Sequence, residues 1–155
     1  MRVLGIDPGT WSMGYGVIDH LGGRSAMVAC GAIRSPKGRS LAERLNRIFD
    51  ELTRLIEEHQ PACLAIEDVF HGRNFRSAVR IGESRGVAIL AAQRFELPVS
   101  EYPPAVVKKS VVGNGGAHKV QIQHMVRSLL GLSAPPEPDD AADALAIALC
   151  HCHRL

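Results

Sequence analysis

The chain has 155 residues, 46% apolar and 22% charged, with 18 basic against 16 acidic side chains and a formal net charge of +2. That is an ordinary globular mix, long enough for one domain, 1–155, with a real core, and it excludes disorder, collagen-like repeats and a small disulfide scaffold. No apolar run nears the roughly 20 residues that span a bilayer. Residues 1–7 lack the pattern of a signal peptide, so no membrane association and a cytoplasmic location are expected.

In chain order, residues 2–7 form a short apolar run that ends in the turn Pro8-Gly9. Residues 15–19 and 27–33 have strand character. Gly22-Gly23 lies between them, which predicts a hairpin. Residues 40–60 read as an amphipathic helix with Ser40 as N-cap and Glu43 as its capping-box partner. Leu41, Leu45, Ile48, Leu52, Leu55 and Ile56 supply its apolar stripe, and Pro61 stops it. Residues 62–66 form a fully apolar strand ending at Glu67, as a buried parallel strand would. A long helix over 75–95 with its arginines outward follows, then a strand over 98–102 and the break Pro103-Pro104. A short helix over 106–111 ends at Gly113, and Asn114-Gly115-Gly116 is mobile by composition. Helices over 120–130 and 139–152 close the chain, the second rich in alanine. The order β-β-β-α-β-α-β-α-α-α predicts an α/β fold: one mixed sheet with helices on both faces.

Charge is unevenly distributed. Five arginines (Arg73, Arg76, Arg80, Arg85, Arg94) face one acid, Glu83, and Lys108, Lys109, Lys119 and Arg127 follow. Then Glu137, Asp139, Asp140 and Asp143 crowd together. The pattern suits a polyanion-binding face beside a separate carboxylate site, although solvated helix faces account for such charge as well. The tail Cys150-His151-Cys152-His153 lacks the ligand gaps of a zinc site and reads as helix-end packing.

Asp7 and Glu67 each end an apolar strand. In an open α/β sheet that edge is where ligands bind. If the two strands are parallel neighbours, the acids stand side by side and repel unless a cation lies between them. Asp140 and Asp143, spaced i, i+3, share one helix face. Acids suit a helix N-terminus in any case, which covers Asp139 as a cap and can extend to Asp140, but not to Asp143, set among alanines. Four such oxygen ligands suit Mg²⁺ or Mn²⁺ and match two-metal phosphodiester cleavage. Gly5-Ile6-Asp7-Pro8-Gly9-Thr10 also matches the phosphate loop of actin-like ATPases. Those need two such domains, and no Walker-type loop is present.

Seven segments, in order, resemble the RuvC family of bacterial Holliday junction resolvases: Gly5-Ile6-Asp7-Pro8-Gly9, Gly14-Tyr15-Gly16-Val17, Ala65-Ile66-Glu67-Asp68-Val69-Phe70, Arg85-Gly86-Val87-Ala88, Val111-Val112-Gly113, Gln123-His124-Met125-Val126 and Asp140-Ala141-Ala142-Asp143-Ala144-Leu145-Ala146. The resemblance implies an RNase H-like mixed five-stranded sheet, a homodimer and Mg²⁺-dependent nicking of opposing strands of a four-way junction, leaving 5′-phosphate and 3′-hydroxyl ends. It also implies the partners RuvA and RuvB. Carried over by position, the catalytic and metal-holding acids are Asp7, Glu67, Asp140 and Asp143, with two Mg²⁺ per site and Mn²⁺ as a substitute. The catalytic lysines are Lys108 and Lys119. Phe70 matches an aromatic that stacks on an unpaired base, which is worth roughly 1–3 kcal/mol; a core phenylalanine is the rival reading. Asn74, Arg76, Arg80 and Lys109 are expected on DNA phosphates, and Ile81, Val87, Ile89 and Leu90 on a dimer surface. Three features depart from the family: Asp68 adds charge beside Glu67, Lys108-Lys109 is doubled, and the chain stops soon after His153, without the longer basic tail of some members. A catalytically silent junction-binding scaffold, or an RNase H-like nuclease acting on another nucleic acid, are the alternatives.

Overall fold

The computed structural model describes residues 1–69 and 74–154. Five strands, β1 (Arg2–Asp7), β2 (Ser12–Leu21), β3 (Arg24–Arg34), β4 (Cys63–Glu67) and β5 (Val99–Tyr102), form one sheet in the order β3-β2-β1-β4-β5. β1 runs antiparallel to β2 and parallel to β4, and β4 runs parallel to β5. This is the expected mixed sheet. The hairpin strands extend beyond the expected 15–19 and 27–33. β3 is an edge strand paired on one side only, and exposed Met27 and Val28 blur its alternation.

α1 (Leu41–His59) and α2 (Phe75–Arg94) cover one face of the sheet; α3 (Pro104–Val112), α4 (Lys119–Leu129) and α5 (Asp139–Cys152) cover the other. α1 starts with the predicted capping box: the Ser40 hydroxyl accepts from the Glu43 amide, and the Glu43 carboxylate accepts from the Ser40 amide. It buries Ile48, Leu52, Leu55 and Ile56, each worth roughly 1.5–3 kcal/mol. α3 begins two residues before the expected 106, because Pro104 fits a first helical turn, where no N–H is needed. Within the Asn114-Gly115-Gly116 stretch, Asn114 Oδ1 accepts from the Gly116 amide at 3.0 Å, and Ala117 is buried behind it.

α5 is the helix that places the site. Its residues from Ala144 to Cys150 are all buried, and it lies across β1 and β2. Close approach is possible because Gly5, Gly14 and Gly16 face it. A Cβ on Gly5 would overlap the Ala144 carbonyl, and one on Gly14 the Asp140 carbonyl. The tail cysteines are free and buried. Next to them His151 lies between the Tyr102 hydroxyl at 2.8 Å and Cys63 Sγ at 3.3 Å, which is the expected helix-end packing.

Candidate active site

Ile6 and Ile66 are paired in register on parallel neighbours. Asp7 and Glu67, one residue further on, therefore leave the sheet together at its carboxyl edge. The first turns of α5 bring Asp140 and Asp143 over the same edge. One carboxylate oxygen each from Asp7, Asp140 and Asp143 lie within 4.8 Å of one another. Glu67 lines the same cleft, of about 400 Å³, together with Ser12, Lys108 and Lys119. Among the described residues, no other group of three or more such ligands converges this way.

Electrostatics mark the cluster as short of positive charge. Burial, and then the charges of Asp143, Glu67 and Asp140, push the Asp7 carboxyl up to about 8. Burial also raises Asp143, against the pull of Lys119. The Lys119 ammonium is 3.4 Å from Asp143 and 3.5 Å from Asp139. Partial burial opposes its charge, yet those two acids hold it above its ordinary value. A set of hard oxygen donors with one neighbouring ammonium is what a divalent cation fits.

The doubled lysine separates by helix phase. Val107 and Val111 face the core, Lys108 lines the cleft, and Lys109 is exposed and lines no part of it. Asp139 is not a cap. Pro138 occupies the N-cap position, and the Asp139 carboxylate turns to α4, accepting from Gln123 Nε2 at 2.9 Å. Of the expected DNA contacts, Asn74 caps α2 through its Oδ1, Arg76 is exposed, and Arg80 is exposed beside Glu83 at 2.9 Å. Phe70 lies outside the described residues. Ile81 lines the cleft and Val87 packs against the core, each still partly exposed, as is Ile89. Leu90 is exposed.

Not every arginine of α2 points outward. The side chain of Arg85 is only 13% exposed. Its Nε donates to the Glu67 carbonyl at 2.9 Å, and its Nη2 pairs with Asp68 and Glu101. It thus clamps the ends of β4 and β5 directly behind Glu67. The extra charge of Asp68 is absorbed there. Ser12 was also not anticipated: its hydroxyl bonds Asp140 across the cleft. A polar residue at a strand start carries no sequence signal for that contact.

The chain matches the family model described as crossover junction endodeoxyribonuclease RuvC over residues 3–151. It is 47% identical over 153 residues to the protein of that name from Pelotomaculum thermopropionicum, covering 99% of this chain and 93% of the relative. It is 50% identical to that of Chloroflexus aggregans with the same coverage. Among solved structures, Thermus thermophilus RuvC in complex with a Holliday junction superposes with a TM-score of 0.93 at 34% identity, covering 99% of this chain and 94% of that one. The sheet order and helix placement are accordingly those of an RNase H-like fold. The chain belongs to the RuvC family of crossover junction endodeoxyribonucleases.

Proposed function

We propose that this chain, acting as a single domain over 1–155, resolves four-way DNA junctions by nicking opposing strands, with Asp7, Glu67, Asp140 and Asp143 holding two Mg²⁺ or Mn²⁺ ions. The observation that carries the metal assignment is the convergence of three carboxylates from β1 and α5, with Glu67 lining the same cleft. When bound, such ions lower the pKa of water and neutralise the charge that builds on the departing 3′ oxygen. The side chains do the rest. Lys119 and Lys108 face the cleft, where their ammonium groups can hold the scissile phosphate and stabilise its developing charge. Ser12 and Arg85 fix the orientation of Asp140 and of the Glu67 backbone. Cleavage leaves 5′-phosphate and 3′-hydroxyl ends.

A junction with two-fold symmetry calls for a two-fold protein. We place the homodimer contact on α2, where Val79 and Leu90 are exposed and nothing within 4 Å fills the space a Cβ would take at Gly82 or Gly86. Arg76 and Lys109, both exposed, and Arg80, exposed though paired with Glu83, are then the cations that meet arm phosphates, which set position but not sequence. Family membership supports a cytoplasmic resolvase working with RuvA and RuvB; no helix among the described residues is long and apolar enough to cross a membrane.

Cleavage of a four-way junction, an RNA–DNA hybrid and a linear duplex, each with and without Mg²⁺, tests the reading. Metal-dependent paired nicks in the junction alone are expected, and Asp7→Asn should abolish them while leaving binding intact. Metal-independent binding with no nicking would establish the silent scaffold instead.

A further inference from the structure

The sheet rim that carries Asp7 continues past the carboxylates. Ser12 opens β2 at this rim and is paired in register with Arg34, the last residue of β3. Asp7 and Arg34 are therefore two strands apart on one edge, which at the usual strand spacing and rise is roughly 10–12 Å. Beyond Arg34 the connection into α1 presents exposed Lys37 and Arg39, and α1 itself presents exposed Arg47. Arg47 Nε donates to the Arg34 carbonyl at 2.8 Å, tying α1 to the rim. A groove of about 420 Å³ runs between them. Among the described residues its one acidic lining group is Glu43, which is engaged by the Ser40 amide and by Arg39. On the α5 side of the rim the Arg34 and Lys119 side chains share a pocket with Glu137, Asp139 and Asp140, so the cations there are matched by acids, unlike those beside α1.

Trp11, one residue before Ser12, adjoins this groove through Ser35 and Arg44, two of its lining residues. Its carbonyl accepts from the Ser35 amide at 3.0 Å. The indole is 52% exposed, and its inner face rests on the Arg44 guanidinium, 3.8 Å from the ring centroid. Arg44 is itself only 8% exposed; one nitrogen donates to the Arg39 carbonyl, and its Nε is without a partner. A buried arginine thus holds one face of an indole whose other face is open, among cations. An aromatic platform along a basic groove is how single strands and backbone-tracking proteins meet nucleic acid.

We propose that Trp11, with Lys37, Arg39 and Arg47, forms a second DNA contact, one that takes the strand flanking the scissile phosphate. This rests on the junction-nicking reading. One strand carries a phosphate about every 3.4 Å of axis, so the groove meets phosphates roughly three to five nucleotides from the cut. The indole packs on a base or sugar, and the cations take the phosphates.

Trp11 is the chain's single tryptophan, so its emission reports this groove without a label. Wild-type protein in EDTA is titrated with a four-way junction while DNA binding is followed by anisotropy. Tryptophan emission should change in step with binding. Arg39→Ala combined with Arg47→Ala should weaken binding about tenfold and lower the salt dependence by about two phosphate contacts. Its single-turnover nicking rate at saturating protein in Mg²⁺ should equal that of wild type. A junction with uncharged methylphosphonates three to five nucleotides from the cut should lose the same affinity toward wild type and no more toward the double variant. Unchanged tryptophan emission at saturating junction, or wild-type affinity in the double variant, overturns the contact. Nicking with a silent tryptophan removes this contact alone; a tryptophan response without any nicking removes the nuclease reading alone.

Discussion

The Ser12 hydroxyl donates a 2.5 Å hydrogen bond to Oδ2 of Asp140, joining the first residue of β2 to the first turn of α5. The bond fixes the rotation of the Asp140 carboxylate and so decides which oxygen faces the cleft. A hydrogen bond to a charged group is worth about 1.5 kcal/mol, close to a factor of ten. Ser12→Ala should therefore raise the Mg²⁺ concentration for half-maximal junction cleavage by about that factor, and saturating Mg²⁺ should recover most of the rate. Ser12→Thr keeps the hydroxyl and should restore the wild-type midpoint. An alanine variant with an unchanged midpoint would sink this role.

The elevated Asp7 carboxyl has a consequence for stability. Its pKa in the folded, metal-free protein is about 8 against an ordinary 3.8. The folded state therefore holds a proton that the unfolded chain has already released across that interval, and stability falls as pH rises from about 4 to about 8. Asp7→Asn removes the buried negative charge. In EDTA it should melt above wild type at pH 8–9, and the gap should close toward pH 4. Water in the cleft screens part of the full shift, leaving about 2 kcal/mol, or about 5 °C. Mg²⁺ should reverse the order, since it binds more tightly to, and so stabilises more, the chain that keeps all four carboxylates. Thermal melts across pH, with and without Mg²⁺, read both effects.

The acids were legible in the sequence because each breaks a local pattern. Asp7 and Glu67 end runs that are otherwise apolar, and Asp143 interrupts an alanine face. The capping box at Ser40 and the apolar stripe of α1 were legible for the same reason, since they depend only on neighbours in the chain. Arg85 was not. Its helix face reads as polar, and only the folded sheet shows that Asp68 and Glu101 wait beneath its third turn. Ser12 and Asp140 are separated by 128 positions, and no local pattern encodes such a pair. Lys108 and Lys109 form an intermediate case: once Val107 and Val111 are known to be buried, the helix period alone turns Lys108 to the cleft and Lys109 away.

Those two lysines and Lys119 should respond differently to substitution. Lys119 stands at 3.4 Å from Asp143 inside the cleft. Lys119→Ala should lower the single-turnover cleavage rate about 10²-fold with little change in junction affinity. Lys108→Ala should act in the same direction. Lys109→Ala should leave the rate unchanged and weaken binding a few-fold, in a salt-dependent manner. A rate loss at Lys109 equal to that at Lys108 would contradict the helix-phase assignment.

Gly14 tests how closely α5 must lie on the sheet. A methyl there would occupy the space of the Asp140 carbonyl, and backbone on both sides leaves no flexible side chain to yield. Gly14→Ala should cost about 3 kcal/mol, lowering the melting temperature by roughly 10 °C. Well below that melt the folded fraction should still cleave poorly, because α5 can relieve the overlap only by carrying Asp140 off the other acids. Wild-type cleavage per folded molecule would show that the helix tolerates the shift.

Gly86 is the opposite case, and it separates the monomer from the dimer. A Cβ at Gly86 meets nothing within 4 Å in the chain itself, and alanine is favoured over glycine in a helix by roughly 1 kcal/mol. Within one chain Gly86→Ala should be neutral or stabilising. If α2 packs against α2 of a second copy, the added methyl instead enters the contact, as would a larger side chain at Gly82. Gly86→Leu should then shift sedimentation toward the monomer at micromolar protein and reduce paired nicking of a junction to single nicks, with each active site intact. A variant that stays dimeric and cuts both strands would move the dimer contact off this helix face.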